Sequence, residues 1–260
     1  MDKPWLLYDR LIEGIPGDVT VEDYGIGVAW TYVKAGGSLG LALTVRQRAG
    51  EPHHSPIIGI SLREVAALVK SWNFLEASLG MAAINCWYNR PQRAKALGLL
   101  DPERGQGGDA FRVFGDAVKG KKVAVIGHFP HLEKTLAPIC KLSILEREPQ
   151  KGDYPDSACE YILPHQDFCF ITGMSLTNKT LPRLLELCQG GKVCLVGPSA
   201  PLAHPIFDFG VDCISGFTPV HPDLCQEALR RGVKQGIFQG GQMVNFYPEA
   251  SQENPTAENH

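Results

Sequence analysis

The stretch Lys122-Val-Ala-Val-Ile-Gly127 is a short, continuous apolar run that ends in glycine, and it decides the fold of the second half of the chain. Four comparable runs follow it, at residues 142–145, 168–172, 193–196 and 211–214. Helical or turn-like segments separate the five runs, so strands alternate with connections. Strands that are apolar throughout and joined by crossovers are typical of a parallel sheet covered on both faces. The pattern therefore predicts a parallel, doubly wound α/β sheet.

The first half of the chain has a different pattern, in which strands come first and helices follow. Gly36-Gly37 supplies a turn, and the alternation of apolar residues after it predicts a hairpin from Val21 to about Arg48. Ser61-x-x-Glu64 is a capping box that opens a helical pattern, and a second helical pattern ends before Pro91. This order of elements predicts an α+β unit.

The change of pattern also predicts the domain boundaries. Residues 101–110 are polar and rich in glycine, as expected of a linker. We therefore place one domain at residues 1–110 and the α/β domain at residues 111–247, and we predict that the polar tail, residues 248–260, is disordered.

Composition excludes several classes of protein. The chain has 260 residues, 44% of them hydrophobic and 20% charged, and a formal net charge of −3, which is the profile of a folded protein. No basic block is present to attract nucleic acid or a membrane surface, and no apolar run reaches the ~18 residues that cross a bilayer. The eight cysteines contain no Cys-x-x-Cys pair, which favours buried thiols in a reducing cytoplasm.

Glycine and polar residues follow the ends of the predicted strands. Ligands of doubly wound sheets bind outside the carboxyl ends of the strands, near the point where the strand order reverses. We therefore expect ligand contacts at this edge from Gly127, Phe129, Thr172, Gly173, Asn178, Gly197, Pro198 and Ser199. Asn85 is a further candidate, because its amide lies in an otherwise apolar helical stretch and must find partners there. It either links that helix to the hairpin or points into a cleft between the halves.

His128 and Glu146 are the candidate catalytic residues. Pro130 is predicted to open a helix, which would place His128 just before the positive helix end, where a neutral imidazole is favoured. A neutral imidazole can transfer protons, bind a substrate or ligate a metal ion, so His128 is also the candidate metal ligand. The alternative is that His128 only caps the helix. Glu146 ends the second strand, where it can anchor a polar ligand.

Several common sites lack their sequence signals. The loop Gly127-His-Phe-Pro-His131 has one glycine where a dinucleotide site needs Gly-x-Gly-x-x-Gly, so ordinary NAD binding is disfavoured. Phosphate-loop and Gly-x-Ser-x-Gly patterns are absent. No His-x-x-x-His or Cys-x-x-Cys pair marks a preformed zinc site, and the side chains of His53 and His54 are expected to diverge in an extended loop.

Four pieces of sequence occur in an order that resembles a known family. They are Ser78-Leu-Gly-Met-Ala-Ala-Ile-Asn85, Gly127-His-Phe-Pro130, Thr172-Gly173 with Thr177-Asn-Lys-Thr180, and Val196-Gly-Pro-Ser199. Together they resemble, over residues 5–245, the family described as "putative heavy-metal chelation", whose function is unknown. The resemblance implies a first half similar to the enolase amino-terminal domain and a Rossmann-like second half. It also implies an active site in the cleft between the halves.

Three functions fit these observations. The first is a cleft protein that binds, and as an enzyme also transforms, a small polar molecule or a metal chelator. The second is direct binding of a divalent or heavy-metal ion by histidine, carboxylate and thiol groups. The third is a nucleotide- or cofactor-dependent transferase or oxidoreductase that uses the Rossmann-like half. Whether the chain is an enzyme, and whether it forms a homo-oligomer, stays open at this point.

Overall fold

A computed structural model describes residues 4–47, 56–101 and 107–248. The first half contains helix α1 (Leu6–Glu13) and an antiparallel sheet of β1 (Val21–Ile26), β2 (Trp30–Ala35) and β3 (Ser38–Leu43), paired in the order β1-β2-β3. Residues 27–29 turn the chain between β1 and β2, and the N–H of Gly27 donates to the Trp30 carbonyl at 2.9 Å. The predicted hairpin at Gly36-Gly37 is present as β2 and β3, but the prediction of one continuous strand before that turn was wrong, because the turn at residues 27–29 divides it in two.

Four helical elements complete the first half. They are α2 (Leu62–Ala67), a 3-10 turn (Leu68–Lys70), α3 (Phe74–Tyr88) and α4 (Pro91–Ala96). The Ser61 side chain accepts from the N–H of Arg63 at the start of α2, and the Asn73 side chain accepts from the N–H of Leu75 at the start of α3. These bonds satisfy amides that have no partner inside a helix, so both helix starts follow from the sequence.

Two glycines let α3 approach its neighbours closely. A Cβ at Gly40 on β3 would overlap the backbone nitrogen of Cys86 on α3. A Cβ at Gly80 on α3 would overlap the backbone of Val69 in the 3-10 turn. The helix is thereby packed directly on the small sheet, with 12 of its 15 residues buried.

The second half contains one large sheet with short helices between the strands. Its elements are α5 (Ala110–Val113), α6 (Gly115–Val118), β4 (Lys122–Ile126), α7 (Leu132–Thr135), β5 (Lys141–Glu146), β6 (Tyr154–Pro155), α8 (Cys159–Ile162), β7 (Phe168–Thr172), α9 (Met174–Thr177), α10 (Leu181–Leu187), β8 (Lys192–Val196), β9 (Cys213–Thr218), α11 (Pro222–Arg230) and β10 (Gln242–Phe246). Further 3-10 turns lie at Asp156–Ala158, Leu163–His165, His204–Phe209 and Lys234–Gln239.

The strand order of the large sheet is β10-β9-β8-β7-β4-β5-β6. Strands β4 to β9 are parallel, and β10 is antiparallel to β9. Numbered along the chain from β4, the parallel strands lie in the order 3-2-1-4-5-6, which is the order of doubly wound nucleotide-binding sheets. The order reverses between β4 and β7. The α/β fold class is confirmed, with a small antiparallel sheet followed by a large, mostly parallel one.

All five predicted strands of the large sheet are present, as β4, β5, β7, β8 and β9. The last of them begins at Cys213 and extends to Thr218, beyond the predicted run at residues 211–214. The two-residue strand β6 and the antiparallel strand β10 were not predicted. Both lie at the edges of the sheet, where short or half-polar strands carry no continuous apolar signal.

The two halves share one hydrophobic core. A single cluster of buried side chains includes Leu7 of α1, Met81 of α3 and Ile171 of β7. The hydroxyl of Tyr8 also donates to the Leu176 carbonyl across the halves at 3.0 Å. The division at residue 110 and the likeness of the first half to the enolase amino-terminal domain stay predictions.

Within the described ranges, no helix combines the length and the apolar character needed to cross a membrane. Residues 102–106 of the predicted linker and residues 249–260 of the predicted tail lie outside the described residues, as do His53 and His54.

Candidate functional site

The aromatic ring of Phe129 lies across the carboxyl ends of neighbouring strands. Gly127 and Gly197 follow β4 and β8 with φ values of 102° and 106°, a region that favours glycine. A Cβ on Gly127 would lie 3.2 Å from Thr172 Cβ and 3.3 Å from Phe129 Cε2, and one on Gly197 would lie 3.7 Å from Phe129 Cε1. The ring also packs edge-on against Phe111, with centroids 5.2 Å apart. The structure thus brings together Gly127, Phe129, Thr172 and Gly197, beside the reversal of strand order.

The side chain of His128 turns toward the ends of β5 and β6. Its Nδ1 atom lies 2.9 Å from Oδ2 and 3.2 Å from Oδ1 of Asp153, whose side chain is 2% exposed. Its Nε2 atom lies 3.8 Å from Oε1 of Glu133, an exposed residue of α7. The N–H of Gln150 also donates to Asp153 Oδ2 at 2.9 Å, so the carboxylate is held by its own loop. A half-buried imidazole is therefore fixed by a buried carboxylate.

The helix-end argument for His128 was wrong. Helix α7 begins at Leu132, and its N-cap is His131, which has a left-handed φ of 70°. Pro130 therefore lies outside the helix, and the near neighbours of the His128 ring are carboxylates. Proline at the start of a helix pattern is a frequent signal, but the left-handed residue at position 131 delays the helix by two residues.

The carboxylate of Glu146 is bonded to backbone amides at the end of β5. Its Oε2 accepts from the N–H of His128 at 2.8 Å, and its Oε1 accepts from the N–H of Arg147 at 2.6 Å. The first of these bonds fixes the backbone of the loop that carries His128. A catalytic role for Glu146 stays a prediction.

Asn85 and Ser199 meet in the packed contact between the two halves. The Asn85 Nδ2 group donates to the carbonyls of Leu41 at 2.8 Å and Ser199 at 3.2 Å. The Ser199 hydroxyl oxygen accepts from the N–H of Leu43 at 2.8 Å. Asn85 is 1% exposed and Ser199 is 4% exposed. Of the two alternatives for Asn85, the structure therefore supports the structural link. The Asn85 amide connects α3 both to β3 of the small sheet and to the loop after β8 of the large sheet.

Gly173 and Pro198 flank this contact. The N–H of Gly173 donates to the Val196 carbonyl at 2.8 Å, and a Cβ on Gly173 would lie 2.5 Å from the backbone nitrogen of Ala200. The absence of a side chain lets the β7 loop lie directly against the β8 loop. Pro198 is half-buried between Gly197 and Ser199.

Asn178 stabilises its own turn, and the next residue connects the halves. The Asn178 Oδ1 atom accepts from the Thr180 hydroxyl at 2.7 Å and from the Thr180 N–H at 3.1 Å. Lys179 has a left-handed φ of 65°, and its Nζ donates to the carbonyls of Ser71 and Thr177. The same Nζ lies 4.6 Å from the ring centroid of Phe74. Burial lowers the pKa of Lys179 from 10.5 to about 8.

No group of three or more His, Cys, Asp or Glu side chains in residues 4–47, 56–101 and 107–248 is arranged to hold a metal ion. His128 has its Nδ1 engaged by Asp153, which leaves Nε2 as the ring atom open to a proton or a metal. Glu133 Oε1, 3.8 Å from Nε2, is the nearest further donor, so a metal at this position would take its other ligands from a bound small molecule. Metal ligation by His128 stays a prediction.

Asp153 and Lys179 are the two residues that sequence reasoning missed. Asp153 lies in a polar loop seven residues after the end of β5, and nothing in its neighbourhood distinguishes it from Glu148 or Asp156. Lys179 was part of a quoted motif, but its contact with Ser71 joins residues 108 positions apart. Only the fold reveals either contact.

Comparisons with known proteins agree with this architecture. A family model described as "Putative heavy-metal chelation" matches residues 109–247, and a second model with the same description matches residues 8–88. An uncharacterized protein of Methanocaldococcus jannaschii is 27% identical over 236 residues, which is 86% of this chain and 88% of the relative.

Two solved structures are similar over almost the whole chain, and both are of proteins with unknown function. The one from Desulfitobacterium hafniense has a TM-score of 0.88 and 41% identity, and covers 95% of this chain and 100% of its own. The one from Pyrococcus horikoshii has a TM-score of 0.77 and 21% identity, and covers 93% and 98%, so it shows the fold alone. Because the first family model covers more than half of the sequence, at residues 109–247, this chain belongs to the family described as "Putative heavy-metal chelation".

Proposed function

We propose that this protein binds, and chemically transforms, a small polar molecule or metal chelator at the carboxyl edge of its large sheet, beside the contact between the two halves. The observation that carries the proposal is the His128–Asp153 pair, which lies at the end of β4 where the strand order reverses. Such a position is where doubly wound sheets bind their ligands. A histidine held by a buried carboxylate is also a common arrangement for proton transfer and for metal ligation.

In this proposal His128 is the acid/base group and Asp153 positions it. Glu146 fixes the backbone of His128 through its 2.8 Å bond to the amide. Gly127, Phe129, Thr172 and Gly197 form the floor under the ligand, because they already contact one another at this edge. Gly173 lets the β7 and β8 loops lie directly against each other beside this floor, where Pro198 and Ser199 follow Gly197, and Ser199 also bonds to Leu43 of the first half.

The chemistry of the donors favours a chelator over a bare ion. His128 offers one nitrogen, and three or more metal-ligating side chains do not converge in the part of the chain that the structure describes. A chelator that brings most of its own ligands needs only one more from the protein. Soft and borderline divalent ions accept imidazole readily.

The experiment compares the wild type with His128→Gln and Asp153→Asn. Native mass spectrometry and calorimetry would measure binding of citrate, histidine and catechol, each with and without Ni²⁺ or Zn²⁺. We expect at least one of these probes to bind the wild type and to bind each variant 10- to 100-fold more weakly, as for other residues that orient a ligating histidine (about 10–100-fold).

The matched control is His131→Asn. His131 is exposed in the same loop, and asparagine tolerates its left-handed φ of 70°. It should bind the probe as the wild type does. Equal losses in His131→Asn and His128→Gln would contradict the proposal, because they would report a disturbed loop instead of a specific side chain.

The strand order gives some support to a second candidate, a nucleotide- or cofactor-dependent transferase or oxidoreductase. Against it, the Phe129 ring lies where the pyrophosphate of a dinucleotide would approach the glycine loop, and Glu146 is bonded to backbone amides. A thermal-shift screen with NAD, FAD, ATP and S-adenosylmethionine separates the two candidates. We expect no shift with any of them.

We also propose that the protein acts in the cytoplasm. Its eight cysteines are all free thiols, and seven of them are buried. Free thiols persist in reducing compartments. Cell fractionation with an antibody to the native chain would test this location.

A further inference from the structure

Cys194 on β8 and Cys213 on β9 are direct partners in the parallel pairing of these strands. Both side chains belong to the apolar cluster that contains Phe111 and Phe114, so they lie on the same face of the sheet. Neither thiol forms a disulfide. They are 0% and 1% exposed. Two sulfur atoms are therefore side by side in an apolar environment.

We propose that Cys194 and Cys213 form a two-coordinate binding site for a soft divalent metal ion of the chemical class of Hg²⁺. Neighbouring strands lie about 4.8 Å apart. Two metal–thiolate bonds of about 2.3 Å each span about 4.6 Å in a linear arrangement. The spacing of directly paired cysteines on adjacent strands is thus close to the sulfur–sulfur distance of an ion that has one sulfur on each side. Thiolates are the ligands that soft ions select.

The charge balance selects a divalent ion. Each thiol releases its proton, and each sulfur donates an electron pair to the ion, whose oxidation state does not change. Two thiolates and one divalent ion sum to zero charge, so a neutral complex lies among the apolar residues. A monovalent ion would leave one negative charge there, and burying an uncompensated charge is costly.

A second pair of thiols provides an internal comparison. Cys169 on β7 and Cys188 both belong to the apolar cluster on the opposite face of the sheet. Cys188 caps the end of α10 and is not a strand partner of Cys169. The distance between neighbouring strands therefore sets the separation of Cys194 and Cys213, but it does not set the separation of Cys169 and Cys188. The half-buried ring of Tyr247 packs against the cluster that holds Cys194 and Cys213, with its centroid 6.3 Å from that of Phe114.

The experiment titrates the reduced, tag-free full chain with Hg²⁺ in an excess of glutathione, which outcompetes single cysteines for the ion. Native mass spectrometry should show one retained ion and the loss of two protons. Cys194→Ala and Cys213→Ala should each weaken retention by about 100-fold or more, since a two-point attachment gains about 10²- to 10⁴-fold over one point. Cys169→Ala is the matched control and should retain the ion.

X-ray absorption on the wild-type complex tests the same site without any variant, and two sulfur neighbours are expected. Three results would each overturn the proposal. The first is that the wild type retains no ion, and the second is that the ion has three or more sulfur neighbours. The third is that Cys169→Ala loses the ion while Cys194→Ala keeps it. His128→Gln should leave mercury retention unchanged. A failure at the thiol pair is therefore distinguishable from a failure of the function proposed at the sheet edge.

Discussion

The Nδ1 atom of His128, in the loop after β4, lies 2.9 Å from Oδ2 of Asp153, in the loop after β5. An ionised carboxylate only accepts hydrogen bonds. In the neutral imidazole, the Nδ1 atom therefore carries the hydrogen, and the lone pair is on Nε2. This relationship fixes which nitrogen of His128 can take a proton or a metal, and the proposed function depends on it.

Replacing Asp153 by asparagine should change the tautomer of His128. An amide can donate to Nδ1 as well as accept from it, so the preference for hydrogen on Nδ1 is lost. Nitrogen-15 NMR of labelled histidine measures the two tautomers directly. Asp156→Asn is the control, because Asp156 pairs with Arg147 at the surface and does not contact His128. An unchanged His128 tautomer in Asp153→Asn would contradict the assigned role.

Asn85→Ala should destabilise the fold more than Asn178→Ala does. The Asn85 amide links α3 to β3 and to the β8 loop while 1% exposed, so its loss leaves two buried carbonyls with fewer partners. Such a loss costs about 1–3 kcal/mol. The Asn178 side chain accepts from Thr180 in its own half-buried turn. Urea denaturation measures both free energies of unfolding, and equal values would show that Asn85 is not the main link.

Gly40→Ala should lower the free energy of unfolding because the new methyl group would overlap the backbone of α3 at Cys86. Overpacking of this kind costs about 1–3 kcal/mol. The matched control is Gly115→Ala, since no atom lies within 4 Å of a Cβ at Gly115. Thermal unfolding of the two variants should therefore give a lower Tm for Gly40→Ala alone. A similar Tm in both would mean that α3 and β3 are not in close contact.

Lys179 should make stability rise with pH in the alkaline range. Its pKa is about 8 in the folded chain because of desolvation, against 10.5 without burial. Between these values the unfolded chain binds more protons, so the free energy of unfolding increases as pH rises from about 8 to 10.5. The destabilising contribution is fully present below pH 8.

The matched variant for this prediction is Lys179→Met, which keeps an unbranched apolar chain but does not titrate. Urea denaturation at several pH values should show a smaller rise for the variant than for the wild type. The same pH dependence in both proteins would mean that the Lys179 ammonium is not desolvated in the fold. The other lysines and the tyrosines titrate in both proteins. Subtracting the variant's free energies of unfolding from those of the wild type therefore leaves the contribution of Lys179.

The sequence predicted most of the large sheet because its central strands are apolar on both faces. Residues 168–172 and 193–196 could be recognised without any partner, and β7 and β8 occupy the same positions. Strand β10 was missed since Gln242 and Asn245 interrupt its apolar pattern. The turn at residues 27–29 was missed because Val28 and Ala29 continue the apolar run of β1.

The candidate site was predictable in part for a similar reason. The carboxyl ends of parallel strands share one edge, so Gly127, Thr172 and Gly197 could be placed together from strand order alone. Side-chain direction could not be predicted. His128 turns to Asp153, and Ser199 turns to the N–H of Leu43 in the other half. Both contacts join segments far apart in sequence, and no local pattern encodes them.

The central claim is that a small ligand binds at the sheet edge next to His128. Its most direct test is a crystal structure of the wild type with the tightest-binding probe of the chelator panel. The account predicts that the ligand, or its metal, lies within hydrogen-bonding or coordination distance of His128 Nε2 and over the ring of Phe129. A ligand bound elsewhere, with Glu133 Oε1 still 3.8 Å from His128 Nε2 and no ligand atom near that nitrogen, would contradict it.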